Sequence, residues 1–239
     1  MISGPGLELP RNGASRLRFS LVLKKFFWHT YDHPGKLIAA SLLSASLALT
    51  IMGLPLALVI LARLGTELAC YREIRVAQMF RMTWRRTARG AALVGIGVGG
   101  AFVILSGLVF YGSDRLHLPL LSLVLLGLTV WFGLAFAAWY SLWVPLASRY
   151  EAPLLELGRA AGLLLLANPL ASLLHLTSQL IIWLFGALTV VGLFLMSPGL
   201  SALLAAVFTR ELIGVYEPGS IPEDEETRTL ADFLRPWRM

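Results

Sequence analysis

His175 and Gln179 stand four residues apart inside the longest uncharged run of the chain, so a helix would place both on one face. Asn168 lies two turns earlier, and Ser172 and Ser178 are close by. Polar side chains at that depth in an apolar segment face a protein interior or a cavity. Asn168, His175 and Gln179 are therefore candidates for a ligand or pore contact, set against the plainer role of bonding one helix to another. Little else in the chain could do chemistry. His29 and His33 are an i, i+4 pair beside Asp32, but zinc takes three or four ligands and no further donor joins them. The Tyr31–Lys36 stretch fits better as a cap that positions the first apolar segment. No nucleophile sits beside a base, and no Walker loop or dinucleotide glycine pattern occurs. Gly95, Gly97, Gly99 and Gly100 fall within an apolar segment, where small residues allow close helix approach rather than phosphate binding. No catalytic residue, metal site or cofactor is expected.

The elements that must position those side chains are membrane helices. From Ala160 to Thr209 the chain runs 50 residues without Asp, Glu, Lys or Arg, broken only by Asn168-Pro169 and by Ser197-Pro198-Gly199. One crossing takes about 20 apolar residues, so this run holds a long pass, a turn and a return. Hydrophobic residues make up 57% of the 239 positions and charged residues 14%, which excludes an ordinary soluble domain. The net charge of +6 lies mostly beside apolar segments, where anionic lipid accounts for it better than nucleic acid. One cysteine, Cys70, excludes an internal disulfide. The first 20 residues lack a signal-peptide pattern, so the first apolar helix is expected to serve as the insertion signal.

The other uncharged segments are Leu37 to Ala62, Gly90 to Ser113 and Leu116 to Ser148. Gly53-Leu54-Pro55 interrupts the first, making either two short passes or a re-entrant hairpin. Arg11, Arg16, Arg18, Lys24, Lys25 and Lys36 precede it, and Arg63, Arg72, Arg75, Arg81, Arg85, Arg86 and Arg89 follow. Both clusters belong inside by the positive-inside rule, so the segment between them crosses an even number of times or not at all. The fold class expected is all-α: a polytopic bundle of about six hydrophobic segments, with proline-turned hairpins at Pro55 and at Pro198-Gly199. Both termini lie in the cytoplasm, and the minimal outer loops exclude a large external domain.

Cytoplasmic amphipathic helices accompany the spans. Between Arg72 and Arg89 a 100° step gathers Arg72, Arg75, Arg85 and Arg89 on one face, suited to lipid phosphates or to a docked partner. Leu17 to His29 is expected to lie in the interface in the same way. A third helix starts at Glu151-Ala152-Pro153 and carries Glu151 and Glu156; it loosely resembles the coupling loop of ABC-transporter permeases. Pro55 and Pro198 are each followed by Thr, Glu-Leu and Tyr at nearly matched spacings, which raises the possibility of an internal repeat with a substrate site at the breaks. The organisation is a cytoplasmic N-terminal segment (1–36), a membrane domain (37–216) and an acidic cytoplasmic tail (217–239).

The order of Tyr31-Asp32-His33-Pro34-Gly35-Lys36, the Gly53-Leu54-Pro55-Leu56 break, Phe80 to Arg89 and Arg159 to Pro169 resembles the YesL family of bacterial integral membrane proteins, over about residues 24 to 216. The chain departs from it at Arg63 to Glu73, where Thr66-Glu67-Leu68-Ala69-Cys70 replaces a small-residue-rich helix and basic turn. The resemblance implies a six-segment protein of the bacterial inner membrane. It further implies a noncatalytic accessory or regulatory role in carbohydrate ABC-type uptake, with the bilayer and a permease as partners; oligomeric state is left open. The alternative is a small solute transporter or channel with its path between the broken hairpins. The family offers no catalytic residues to carry over.

Overall fold

The computed structural model describes residues 17, 19–48, 53–69, 103, 104, 106, 107, 110, 119–150, 153–189, 192 and 195–216. Seven helices and no strand occur among them: α1 (Phe19–Asp32), α2 (Pro34–Ala48), α3 (Gly53–Ala69), α4 (Pro119–Arg149), α5 (Leu154–Ala167), α6 (Pro169–Thr189) and α7 (Ser197–Tyr216). Within α4, Leu123–Arg149, and the whole of α6 and α7, are long and apolar enough to cross a membrane. The protein is an all-helical membrane protein.

Prolines mark where several of these helices begin. Pro34 and Pro169 each occupy the first helical position, where a missing N–H costs nothing because that N–H would lack a partner anyway. Ser197-Pro198-Gly199 form the first turn of α7, and Gly53-Leu54-Pro55 lie within α3. Pro145 differs. It lies inside α4, which continues through it to Arg149. Ser148 donates its hydroxyl to the Pro145 carbonyl at 2.7 Å within this last turn.

The bundle is built around α7. From Leu203 to Ile213 every residue is buried, and α1, α2, α3, α4 and α6 all pack on it. Close approach is made possible by missing side chains. A Cβ on Gly65 of α3 would stand 2.7 Å from the Ala202 carbonyl oxygen of α7, and one on Gly199 would stand 2.9 Å from the Leu37 carbonyl of α2. The Gly199 N–H donates to the Ser41 hydroxyl at 2.9 Å, so α2 supplies the cap for the start of α7.

Contacts along α7 fix relative directions. Gly65 lies at Ala202 and Ala69 at Arg210, so α3 runs with α7. Gln179 meets Ser201 and Asn168 meets Tyr216, so α6 runs against it. Helices α1 and α2 are separated only by His33, and backbone bonds from His33 N to His29 O and from Leu37 N to His33 O, each 3.2 Å, carry the helical pattern across the gap.

The Leu17 to His29 stretch does not simply lie on a surface. Val22, Phe26, Trp28 and His29 of α1 are buried, Phe19 meets Phe208 edge-on, and Lys25 reaches Glu211 of α7. An amphipathic pattern specifies that one face is covered, not by what, and here much of the cover is protein. Helix α5 packs on α4 where Trp139 donates to the Gly158 carbonyl at 2.8 Å and stacks on Trp143.

Candidate functional site

Asn168, at the junction before α6, and His175 and Gln179 of α6 converge on the seam with α7. Asn168 ends α5 with φ −131° and ψ 60°, outside the helical region, as expected of a residue before proline. That kink aims its amide at two acceptors, the Leu164 carbonyl at 3.2 Å and the Tyr216 hydroxyl at 2.6 Å. Three turns further, the Gln179 amide donates to the Ser201 carbonyl at 2.9 Å, while the Ser201 hydroxyl donates back to the Gln179 carbonyl oxygen. The Trp183 indole N–H reaches the same hydroxyl at 3.3 Å. Near the turn, Ser197 donates to the Gly192 carbonyl at 3.1 Å. Each bond replaces one that water cannot supply in an apolar slab.

His175 lies between these clasps and is only 1% exposed. Its ring stacks on Phe208 with centroids 4.3 Å apart and planes within 5°. Phe208 in turn is met by Phe19, so three rings from α6, α7 and α1 form a column. Both imidazole nitrogens lack a hydrogen-bond partner, as does the buried Ser172 hydroxyl one turn away. Stacking explains the ring's position but leaves two polar atoms without partners, an arrangement that a buried water or small polar guest would relieve. The seam can hold helices together or bind something small.

A second polar region lies at the other end of α7 from the Ser197 turn. Lys25 and Glu211 form an ion pair at 2.8 Å between α1 and α7. Arg210, 8% exposed, donates to the Ala69 carbonyl at the end of α3. Thr66 and Ser148 share a 3.0 Å hydroxyl contact between α3 and α4. Between these helices is a crevice of about 10 Å³ lined by Thr66, Pro145, Arg149, Ala206, Thr209 and Arg210. The uncharged run ends at Thr209, and Arg210-Glu211 follow it within the same helix. The signal available was that Leu212 and Ile213 continue the apolar pattern beyond it, placing two charges inside a helix rather than after one.

Of the docking candidates, Glu156 stands exposed in the first turn of α5. Arg72, Arg75, Arg85, Arg89 and Glu151 lie outside the described residues, as does the acidic tail. Pro55 belongs to α3, while Pro198 and Gly199 open α7 against α2. Among the described residues no three His, Cys, Asp or Glu side chains gather as metal ligands. Comparison of the chain with protein-family models, curated proteins and solved structures finds no match.

Proposed function

We propose that this protein is a noncatalytic accessory or regulatory component of the bacterial inner membrane, acting beside a carbohydrate ABC-type uptake system. The observation that favours this reading over transport is the use of the α6 polar face. Asn168 and Gln179 direct their amides into bonds with α7, and His175 is closed off by Phe208. Side chains lining an aqueous path would instead keep their polar atoms available to solute. The sugar-uptake context rests on the family resemblance. The polytopic layout of about six segments with cytoplasmic termini rests on charge distribution, and the shared direction of α3 and α7 fits a hairpin that returns to its starting side. Mild detergent extraction after in-cell cross-linking tests the role: a permease subunit should co-purify, and recovery of the protein alone and uncross-linked would contradict it.

A second reading, a small solute path, is favoured by the unpartnered nitrogens of His175 and the unpartnered Ser172 hydroxyl. Reconstituted vesicles that show flux for a sugar panel, abolished in His175→Phe, would establish it in place of the accessory role.

A further inference from the structure

We propose that the crevice between α3, α4 and α7 binds the phosphate of an anionic phospholipid, with one phosphate oxygen entering and the rest of the headgroup at its mouth. The volume of about 10 Å³ suits one water-sized atom and excludes a sugar ring. The lining supplies what a phosphate oxygen needs. Arg149 and Arg210 both contribute, and Thr209 presents a hydroxyl that is buried, at 3% residue exposure, without a hydrogen-bond partner. Such a hydroxyl is costly to bury unless something accepts from it, and a phosphate oxygen is an acceptor only.

Arg149 is the partly exposed member. Its guanidinium lies over the Tyr150 ring at 5.7 Å and has no carboxylate within ion-pair distance among the described residues. Arg210 donates to the Ala69 carbonyl, which holds its guanidinium at the crevice wall. The carboxylates on the surrounding elements are Glu67 of α3 and Glu211 of α7. Glu211 pairs with Lys25, and neither carboxylate lines the crevice, whose lining carries the two guanidinium groups of Arg149 and Arg210.

Location argues for a lipid rather than a free anion. Arg149 is the last residue of α4, so the mouth lies where a membrane-spanning helix reaches the headgroup layer. Apart from Thr66, whose hydroxyl is engaged by the Ala62 carbonyl and Ser148, the remaining lining, Pro145, Ala206 and Ile213 among it, is apolar, as suits the glycerol end of a lipid and not a hydrated ion. Basic pockets between membrane helices commonly recognise anionic headgroups in this way. The proposal does not depend on the accessory role.

The test uses the full chain, delipidated in neutral detergent, with native mass spectrometry and thermal melting. The additions are phosphatidylglycerol, phosphatidylcholine or inorganic phosphate. Phosphatidylglycerol should be retained as a bound adduct and raise the melting temperature more than the other two. Arg149→Gln should weaken this binding about tenfold, the loss of one charge-assisted contact, and Arg149→Lys should recover part of it. Thr209→Val discriminates by sign. It should melt higher than the parent without lipid, because an unpartnered hydroxyl is gone, and gain less from phosphatidylglycerol. Equal phosphatidylglycerol affinity in the parent, Arg149→Gln and Thr209→Val would overturn the site. Equal stabilisation by inorganic phosphate would assign it to a free anion and overturn the lipid.

Discussion

Helices α4 and α7 are both apolar enough to cross a membrane, yet 6% of the most apolar stretch of α4 is buried inside the protein against 67% of that of α7. On α4, Trp131 is 73% exposed and Phe132 66%; on α7, Phe208 is fully covered. Bulk composition does not separate them, since in a bilayer an apolar side chain is equally at home against lipid or protein. What separates them is the small and polar residues. Helix α7 carries Gly199, Ser201, Thr209, Arg210 and Glu211, which need a close neighbour or a partner, whereas in Leu123–Leu134 of α4 the one hydroxyl, Thr129, bonds back to the Leu125 carbonyl at 2.8 Å, and no neighbour approaches Gly127.

Glycine substitutions should separate the two helices' surroundings most sharply. Gly65→Leu drives a side chain into the α7 backbone and is expected to abolish recovery of folded protein, since even modest overpacking costs about 1–3 kcal/mol. Gly127 of α4 has nothing within 4 Å of a built Cβ, so Gly127→Ala should raise stability by up to about 1 kcal/mol through helix propensity. Detergent melting curves of the two variants report both; a tolerated Gly65→Leu would break the comparison.

Removing a buried partner comes next. Glu211→Ala strands Lys25, whose side chain is 21% exposed and thus partly relieved by solvent, so the expected cost is about 1–3 kcal/mol. The double variant Lys25→Met with Glu211→Leu should regain most of it. Gln179→Leu should cost about 1 kcal/mol, typical of an interhelical bond in a membrane. Phe132→Leu on α4 should fall within about 0.5 kcal/mol of the parent.

The smallest effect concerns His33, between α1 and α2. Burial, and then Lys36, hold its pKa below the usual 6.5, so folding favours the neutral ring. That contribution is fully present above pH 6.5 and is lost as pH falls through the lowered folded value. Melting of the parent relative to His33→Gln should therefore decline slightly on acidification; an increase would contradict the assignment.

The helix boundaries were legible where proline chemistry sets them, as at Asn168-Pro169, and less so at Pro145, where α4 carries on. The polar residues of α6 stood out because polarity in an apolar run is conspicuous. Their partners did not: nothing local links Gln179 to Ser201 or Asn168 to Tyr216. The packing of α1 on α7 was hidden for the same reason. Lys24 and Lys25 read as surface charges, and the carboxylate that draws Lys25 inward lies 186 residues away.

The contrast between α4 and α7 is tested most directly by photolabelling the protein in vesicles with a lipid-soluble carbene precursor, read by peptide mass spectrometry. Label should concentrate on Leu123–Phe136 of α4 and be scarce on Leu203–Leu212 of α7. Equal labelling of the two, or a protected α4 beside a labelled α7, would contradict the account.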